Sequence, residues 1–271
     1  MTEPSASSRL CALVTNDDGI NSAGLHALAR AAEAVGLDVT VAAPMSDTSG
    51  ASASIQHRRA GNQVAIEQRS IDGVRGACYG VDSNPGFIAL TGVRGTFGCR
   101  PDLLLSGVNR GSNTGRVIVH SGTVGAALSA ALQGCRAMAV SAVTNTGTPR
   151  WTTAAAVAAR LAQFVSAAPP GTALNVNVPD LEEPALRGIR WARLAPFGTV
   201  QTVAAQLGLG HLELSIEDPL HGVPAGTDAA LVAEGFVTVT ALAAMAELTP
   251  LTGLPPLAEG SRNSGRESAG R

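Results

Sequence analysis

The stretch that decides the fold runs from Leu10 to Gly19 and reads LCALVTNDDG. Its first half carries small and branched apolar side chains, as in a strand that is covered on both faces. The run ends in an acidic turn, where the adjacent carboxylates of Asp17 and Asp18 repel each other unless a cation lies between them. Residues 22–35 follow with Leu and Ala at helical spacing. Strand, acidic turn and helix form the first half of a βαβ unit, whose turns hold ligands in open α/β sheets.

Predicted strands and helices alternate over the first 166 residues or so. Strands are predicted at 38–43, 102–106, 138–141 and 174–178, a hairpin strand within 64–72, and helices at 84–93, 123–132 and 152–166. This alternation predicts an α/β fold with a doubly wound, mostly parallel sheet. After Pro179, strands without intervening helices are predicted at 189–194, 200–207, 211–216 and 236–240. We therefore predict an α/β domain over 9–180, a β-hairpin-rich extension over 181–254 and a disordered tail over 255–271.

Composition limits the function. The chain has 271 residues, 45% of them hydrophobic, and a net charge of −2, which argues against binding to nucleic-acid polymers or to membranes. The apolar stretch 123–143 is too polar in its middle to span a bilayer, and the first residues lack the apolar core of a signal peptide. We therefore expect a cytoplasmic protein. All 19 basic residues are arginine, which excludes a Walker lysine and a Schiff-base lysine.

The four cysteines, Cys11, Cys78, Cys99 and Cys135, form no C-x-x-C pair. This spacing argues against a zinc knuckle and against a redox motif. Cys11 falls inside the first predicted strand and Cys135 near the start of another apolar run. We expect both to be buried, reduced and inert.

Three polar clusters each follow a predicted strand. They are the acidic turn 16–19, the loop 46–52 and the glycine-rich stretch 106–123. Because the carboxyl ends of parallel strands lie on one edge of a sheet, the three clusters should converge on one crevice.

The side chains expected at this crevice suit a metal ion. Asp17 and Asp18 supply charge for a divalent cation, and Ser49 and Asn109 offer neutral oxygens. Oxygen coordination of this kind selects Mg²⁺ or Mn²⁺. The three clusters contain no Cys and no His other than His120, which disfavours zinc. Since successive side chains of a strand point to opposite faces, both aspartates reach one ion only if the chain leaves extended geometry at Asp17.

The third cluster ends in Ser121, Gly122 and Thr123 at the start of a predicted helix. A hydroxyl at the N-cap, a glycine that permits close approach and free main-chain N–H groups make an anion cradle. A metal ion and an anion cradle in one crevice suit a phosphate group. The reaction indicated is hydrolysis of a phosphate monoester by direct attack of a metal-activated water.

Each signal also has a purely structural explanation. An isolated Asp-Asp-Gly is commonly a solvated turn, and the stretch 107–122 fits a flexible loop as well as a ligand site. His120 is either a general acid or a surface residue.

Together the clusters resemble the SurE family, the stationary-phase survival nucleotidases. The matching segments are NDDG at 16–19 with Gly24, AP at 43–44 with SGAS at 49–52, SGVN at 106–109 with Gly111, Asn113 and Gly115, SGTV at 121–124, LNVNVP at 174–179, and GTD at 226–228 with EG at 234–235. The resemblance covers roughly residues 10–242.

The resemblance implies a Rossmann-like catalytic domain with a C-terminal β-hairpin that exchanges between subunits, and so a homodimer or homotetramer. It implies a 5′-nucleotidase, with 3′-nucleotidase activity as a further expectation, that acts on nucleoside monophosphates with one Mg²⁺ or Mn²⁺ per subunit. By position, the catalytic carboxylates are Asp17 and Asp18. The implied metal ligands are Asp17, Asp18, Ser49 and Asn109, and the implied phosphate contacts are Asn113, Ser121, Gly122 and Thr123.

The chain departs from the family pattern at a few positions. Met45 and Thr48 stand where the family usually has an acidic and a basic residue, and Arg116 and Val117 stand where an acidic pair is common. The hairpin region 200–221 is also shorter and more apolar than expected. These departures leave the implied metal ligands unchanged.

Two other functions are alternatives to a metal-dependent nucleotidase. A phosphoaspartyl phosphatase of the haloacid dehalogenase type needs Asp-x-Asp after the first strand and a downstream lysine, and this chain has neither. A non-catalytic nucleotide-binding or regulatory protein would keep the anion cradle and dispense with the metal, since a fold alone does not fix function. The presence of both aspartates favours the enzyme.

Overall fold

The apolar run after Leu10 forms the central strand β1 (Cys11–Thr15), whose side chains are all buried. The computed structural model describes residues 9–56, 63–144, 147–197, 202–207, 212–217 and 223–246. The other strands are β2 (Asp38–Pro44), β3 (Ile66–Arg69), β4 (Cys78–Val81), β5 (Leu103–Arg110), β6 (Arg136–Val143), β7 (Ala173–Pro179), β8 (Ile189–Trp191), β9 (Thr202–Leu207), β10 (Leu212–Glu217) and β11 (Val237–Leu242). The helices are α1 (Ala23–Ala34), α2 (Pro85–Gly92), α3 (Gly122–Ala131), α4 (Trp151–Ser166) and α5 (Asp228–Ala233), with 3₁₀ turns at Arg116–His120 and Glu183–Ala185.

The main sheet has nine strands in the order β3-β4-β2-β1-β5-β6-β7-β11-β8. Six neighbouring strands of the sheet, β4-β2-β1-β5-β6-β7, are mutually parallel. In contrast, β3 runs antiparallel to its neighbour β4, and β11 runs antiparallel to its neighbour β7. The chain leaves β1 toward β2 on one side and later returns to place β5 on the other. The strand order therefore reverses at β1, where open α/β sheets bind their ligands. The predicted Rossmann-like, mostly parallel α/β fold is confirmed.

Helices cover both faces of the sheet, which explains why the strands are apolar on both sides. On one face α1 and α4 pack over one cluster of buried side chains, among them Val14, Leu28, Leu105 and Leu161. On the other face α2 and α3 pack over a second cluster that includes Leu13, Ile88, Leu104 and Val124. Adjacent residues of β1 thus belong to opposite layers of the core.

Sequence signals place the helix ends well. The Ser22 hydroxyl caps α1 by accepting a hydrogen bond from the N–H of Leu25, and α2 begins at Pro85 after Asn84. The third predicted strand is longer than expected, because β5 continues through Gly107 to Arg110 and pairs with Ser141 and Ala142 of β6. The register shifts between Ser106 and Asn109, an irregularity that alternation does not predict.

The C-terminal part adds β8 and β11 to the main sheet, whereas β9 and β10 form a separate two-stranded sheet. The predicted hairpin is present as the antiparallel pair β9 and β10. Helix α5, which the strand pattern did not predict, precedes β11. The boundary near residue 180 between domain and extension stays a prediction, and the predicted tail over 255–271 lies outside the described residues. Within the described ranges no helix is both long and apolar enough to cross a membrane.

The prediction that Cys11 is reduced and inert is wrong. The structure joins Cys11 to Cys99 in a disulfide with Cα atoms 6.7 Å apart. The two residues are 88 positions apart, but the N–H of Asp102 donates to the Cys11 carbonyl at 2.8 Å, so sheet pairing brings their segments together. Cys135 is free and buried as predicted, and burial raises the pKa of its thiol to about 11.

Replacing Cys99 with serine is expected to lower the free energy of unfolding by about 2–4 kcal/mol under oxidising conditions, because the cross-link restricts the unfolded chain. Urea unfolding with and without dithiothreitol measures this difference. With the reductant, the variant and the wild type should unfold at similar urea concentrations. Equal stability without the reductant would contradict the disulfide.

Candidate active site

The three polar clusters meet at the carboxyl edge of the sheet. Strand β1 pairs in parallel with both β2 and β5, with Val14 opposite Val41 and Thr15 opposite Ser106. The acidic turn after β1 therefore lies between the loop after β2 and the end of β5. The convergence expected from the order of the clusters is confirmed at this edge.

The acidic turn is closed by its own flanking residues. The Asn16 side-chain oxygen accepts a hydrogen bond from the N–H of Gly19, and the Asn16 amide donates to the Gly19 carbonyl, each at 3.2 Å. Gly19 has a φ of +97°, a conformation that favours glycine. The chain thus leaves extended geometry directly after β1, as two aspartates facing one site require.

Asp17 links the start of α3 to the loop after β2. Its carboxylate Oδ1 accepts a hydrogen bond from the Thr123 hydroxyl at 2.5 Å, and its main-chain carbonyl accepts from the N–H of Thr48 at 2.8 Å. A Cβ atom on Gly122 would lie 2.7 Å from Asp17 Oδ2, so only glycine permits this approach. Asp17 is 3% exposed, and contacts with Thr123 and Thr48 hold its side chain and its main chain.

Asp18, like Asp17, is a carboxylate whose pKa is raised by its surroundings. Burial, followed by the neighbouring carboxylates of Asp17 and Asp47, raises the pKa of Asp18 to about 7. The N–H of Arg110 donates to this carboxylate, whereas its other oxygen, Oδ2, is buried without a hydrogen-bond partner. Burial also raises the pKa of Asp17, although the Thr123 hydrogen bond acts in the opposite direction.

These observations fit a divalent cation. An orphaned buried carboxylate oxygen beside a second buried carboxylate is costly unless a positive charge neutralises them. Among the residues that the structure describes, no three His, Cys, Asp or Glu side chains form a metal-ligand group. Neutral oxygens would therefore have to complete the coordination shell, which is chemistry that Mg²⁺ and Mn²⁺ accept.

The two predicted neutral ligands differ in how they reach the site. The Asn109 amide nitrogen donates to the Gly111 carbonyl at 3.0 Å, which leaves its side-chain oxygen for a cation. Ser49 lies on the exposed loop after β2, and its N–H donates to Asp47 Oδ1 at 2.7 Å. In the described contacts Ser49 is connected to Asp17 only through its neighbour Thr48.

The start of α3 has the features of an anion cradle. Ser121 is the N-cap, and its hydroxyl accepts a hydrogen bond from the N–H of Val124 at 3.2 Å. The N–H groups of Gly122 and Thr123 belong to the first turn, where a helix offers no carbonyl partners, and that of Thr123 donates to the Asp17 carboxylate. This ten-residue helix thus directs its positive N-terminal end toward the edge where Asp17 lies.

Asn113 lies apart from the cradle contacts. Its amide nitrogen donates to the buried Ser141 hydroxyl at 2.9 Å, and its carbonyl accepts from the amides of Asn175 and Asn177, each at 2.8 Å. Its described side-chain contact is therefore with the sheet. Its role as a phosphate contact stays a prediction.

Sequence reasoning assigned no role to several residues that shape the site. Asp228 is fully buried and accepts hydrogen bonds from the N–H groups of Gly115, Ala195 and Ala229. The amides of Asn175 and Asn177 donate to the Asn113 carbonyl and so hold the glycine-rich loop against β7. The sequence does carry a signal for these two asparagines, which are polar residues at alternate positions of the apolar strand β7. A buried amide needs hydrogen-bond partners.

Comparison with known proteins agrees with this geometry. The family model of the survival protein SurE matches residues 12–198. The chain is 41% identical over 173 residues to the 5′-nucleotidase SurE of Geobacter metallireducens, covering 62% of this chain and 64% of that protein. It is 36% identical over 237 residues to the 5′-nucleotidase SurE of Geobacter sulfurreducens, covering 85% and 86%.

A solved structure agrees as well. The crystal structure of the SurE protein from Aquifex aeolicus superposes with a TM-score of 0.74 at 29% identity, over 88% of this chain and 94% of that one. This similarity extends beyond the residues matched by the family model. The chain belongs to the SurE family.

Proposed function

We propose that this chain is a metal-dependent phosphohydrolase that removes the 5′-phosphate from nucleoside monophosphates. The observation that carries the proposal is the position of Asp17. Its Oδ1 accepts a hydrogen bond from the first turn of the anion-binding helix, and the adjacent Asp18 has a buried carboxylate oxygen without a partner. A phosphate at the helix and a cation at the carboxylates would therefore be neighbours.

Four residues would hold the ion. Asp17 and Asp18 supply the charge, and Ser49 and Asn109 supply neutral oxygens. When bound, a divalent ion polarises a phosphoryl oxygen and lowers the pKa of a water molecule.

The chain's own groups bind and orient the substrate. Ser121 and Gly122 at the start of α3 contact the phosphate, and the positive end of the helix favours its charge. The Thr123 hydroxyl and N–H hold Asp17 in place, so the first turn of α3 serves both the anion and the carboxylate. Gly122 keeps the two groups close because it lacks a Cβ atom.

Several finer points belong to the same proposal. The ion is Mg²⁺ or Mn²⁺, one per subunit, and 3′-nucleotide hydrolysis is a second activity of the same site. The protein is cytoplasmic and acts as a homodimer or homotetramer. The support for these points is the resemblance in sequence motifs together with membership of the SurE family.

Phosphate release from a panel of nucleoside 5′- and 3′-monophosphates tests the proposal. Release should occur with Mn²⁺ or Mg²⁺, stop with excess EDTA and return when the metal is restored. Nucleotide binding without phosphate release under every metal condition would contradict the proposal and favour the non-catalytic alternative.

Replacing Thr123 with valine is expected to lower kcat/KM by about 10–100-fold, as for residues that orient a metal ligand. Valine keeps the shape of threonine and its main-chain N–H but loses the hydroxyl that donates to Asp17. Steady-state phosphate release measures the loss. Thr123→Ser restores the hydroxyl and should recover most of the activity, and an equal loss in both variants would argue against the orienting role.

A further inference from the structure

A cavity of about 260 Å³ lies at the loop after β2, which contacts Asp17 and Gly19 of the acidic turn. It lies between the loop after β2 and the turn from β4 to α2, and it is lined by residues 44–48, Gln56 and 81–84. Its volume is below the roughly 300–1,000 Å³ of sites that enclose whole drug-sized ligands. It therefore fits one ring with its substituents better than a complete nucleotide.

The wall of the cavity is hydrogen-bonded to the main chain of Asp17. Thr48, in its wall, donates hydrogen bonds from its N–H and its hydroxyl to the Asp17 carbonyl, at 2.8 and 3.1 Å. The acidic turn also packs against the wall, since a Cβ on Gly19 would lie 3.1 Å from the carbonyl carbon of Ser46. A substrate whose phosphate lies at α3 beside Asp17 would place its next group toward this cavity.

Several hydrogen-bond donors of the lining are already used. The Ser83 hydroxyl donates to the Gln56 carbonyl at 3.0 Å, and the Asn84 amide donates to the Ser54 hydroxyl at 3.1 Å. The Thr48 hydroxyl is engaged with Asp17.

Acceptors remain at the cavity. Asp82 is half-buried, and no residue within the described ranges donates to its carboxylate or forms an ion pair with it. Arg69, which approaches Gly80, forms an ion pair with Glu67. A ligand that matches this wall must bring hydrogen-bond donors.

We infer that this cavity is the sugar subsite of the enzyme and that Asp82 determines specificity by accepting hydrogen bonds from ribose hydroxyl groups. The inference rests on the proposed function, because the sugar is the group attached to the phosphate of a 5′-nucleotide. Pro44, Met45 and Val81 supply an apolar wall for the ring. A carboxylate is also the group that nucleotide-binding sites use to select a ribose hydroxyl. The enzyme thus prefers ribonucleotides to deoxyribonucleotides.

The test compares kcat/KM for adenosine 5′-monophosphate and its 2′-deoxy analogue. The wild type should favour the ribonucleotide by at least about tenfold, as expected for a hydrogen bond to a charged group. Asp82→Ala should bring the ratio close to one, and Asp82→Asn, which keeps one oxygen acceptor, should give an intermediate ratio. The matched control is Asp38→Ala, which removes an exposed carboxylate at the opposite end of β2 and should keep the wild-type ratio.

A second measurement does not depend on turnover. Calorimetric binding of adenosine and 2′-deoxyadenosine should show the same preference and the same dependence on Asp82. If no monophosphate is hydrolysed but this binding preference is found, the proposed function fails and the sugar subsite stands.

Three results would overturn the inference. They are a wild type that does not discriminate between the two sugars, an Asp82→Ala variant that keeps the preference, and an Asp82 variant that changes selectivity among bases but not between sugars. Thermal unfolding checks the fold of each variant. Should Asp82→Ala fail to fold, Asp82→Asn decides, and an unchanged ratio in that variant counts against the subsite.

Discussion

Replacing Asp17 with asparagine is expected to lower kcat/KM for nucleoside monophosphates by about a thousandfold or more. A bound divalent ion contributes several kcal/mol of charge stabilisation, and about 4 kcal/mol corresponds to a thousandfold in rate. Asparagine has nearly the same shape and can still accept the hydrogen bond from Thr123, but it lacks the charge that holds the cation. Steady-state phosphate release with saturating Mn²⁺ measures the loss.

The fold should survive this substitution. Asp17 is 3% exposed, and its burial disfavours the charged carboxylate, so a neutral amide of equal size should not reduce the stability of the metal-free protein. Asp38→Asn, at an exposed carboxylate of β2, is the matched control and should retain full activity. Wild-type turnover by Asp17→Asn would refute the catalytic assignment.

Replacing Gly122 with alanine should be almost as damaging, although it adds only a methyl group. The new Cβ would lie 2.7 Å from Asp17 Oδ2 and 2.8 Å from Asp17 Cβ, so the carboxylate or the start of α3 must move. We expect kcat/KM to fall by at least about 100-fold, since small displacements of catalytic groups have effects of that size. The free energy of unfolding should fall by about 1–3 kcal/mol, as for other overpacked sites.

A second variant separates lost activity from lost stability. Ala131→Gly, at the far end of the same helix, should destabilise α3 by about 1 kcal/mol without reaching Asp17. Its activity should remain near that of the wild type under conditions where both proteins are folded. Normal kcat and KM for Gly122→Ala would contradict the close approach of the cradle to the carboxylate.

The sequence predicts the parts of this site that depend on local chemistry. The apolar run of β1 and the acidic turn after it predict a ligand-binding edge of the sheet. The N-cap residue Ser121 predicts the start of α3. Parallel pairing then brings these ends together without further information. For this reason the convergence of the three clusters could be predicted before the structure was known.

The features that the sequence did not reveal depend on contacts between distant segments. The Cys11–Cys99 disulfide spans 88 residues, and the hydrogen bond from Gly115 to Asp228 spans 113. Neither pairing has a local signal. The extension of β5 to Arg110 was missed because a glycine normally weakens a strand, whereas here the partner strand β6 and a register shift accommodate Gly107.

Asp228 shows how the C-terminal part contributes to the site. Its carboxylate accepts hydrogen bonds from Gly115, at the end of the glycine-rich loop, and from Ala195, beyond β8. The segment from Gly115 leads through a 3₁₀ turn to Ser121 and the cradle. The C-terminal region thus positions the loop before α3 as well as extending the sheet.

The most direct test of the central claim is a calorimetric titration of the metal-free protein with Mn²⁺ in the absence of nucleotide. The account predicts one ion bound per chain by the wild type and loss of that binding in the Asp17→Asn and Asp18→Asn variants. Manganese binding of wild-type stoichiometry and affinity in both variants, or none in the folded wild type, would contradict this prediction.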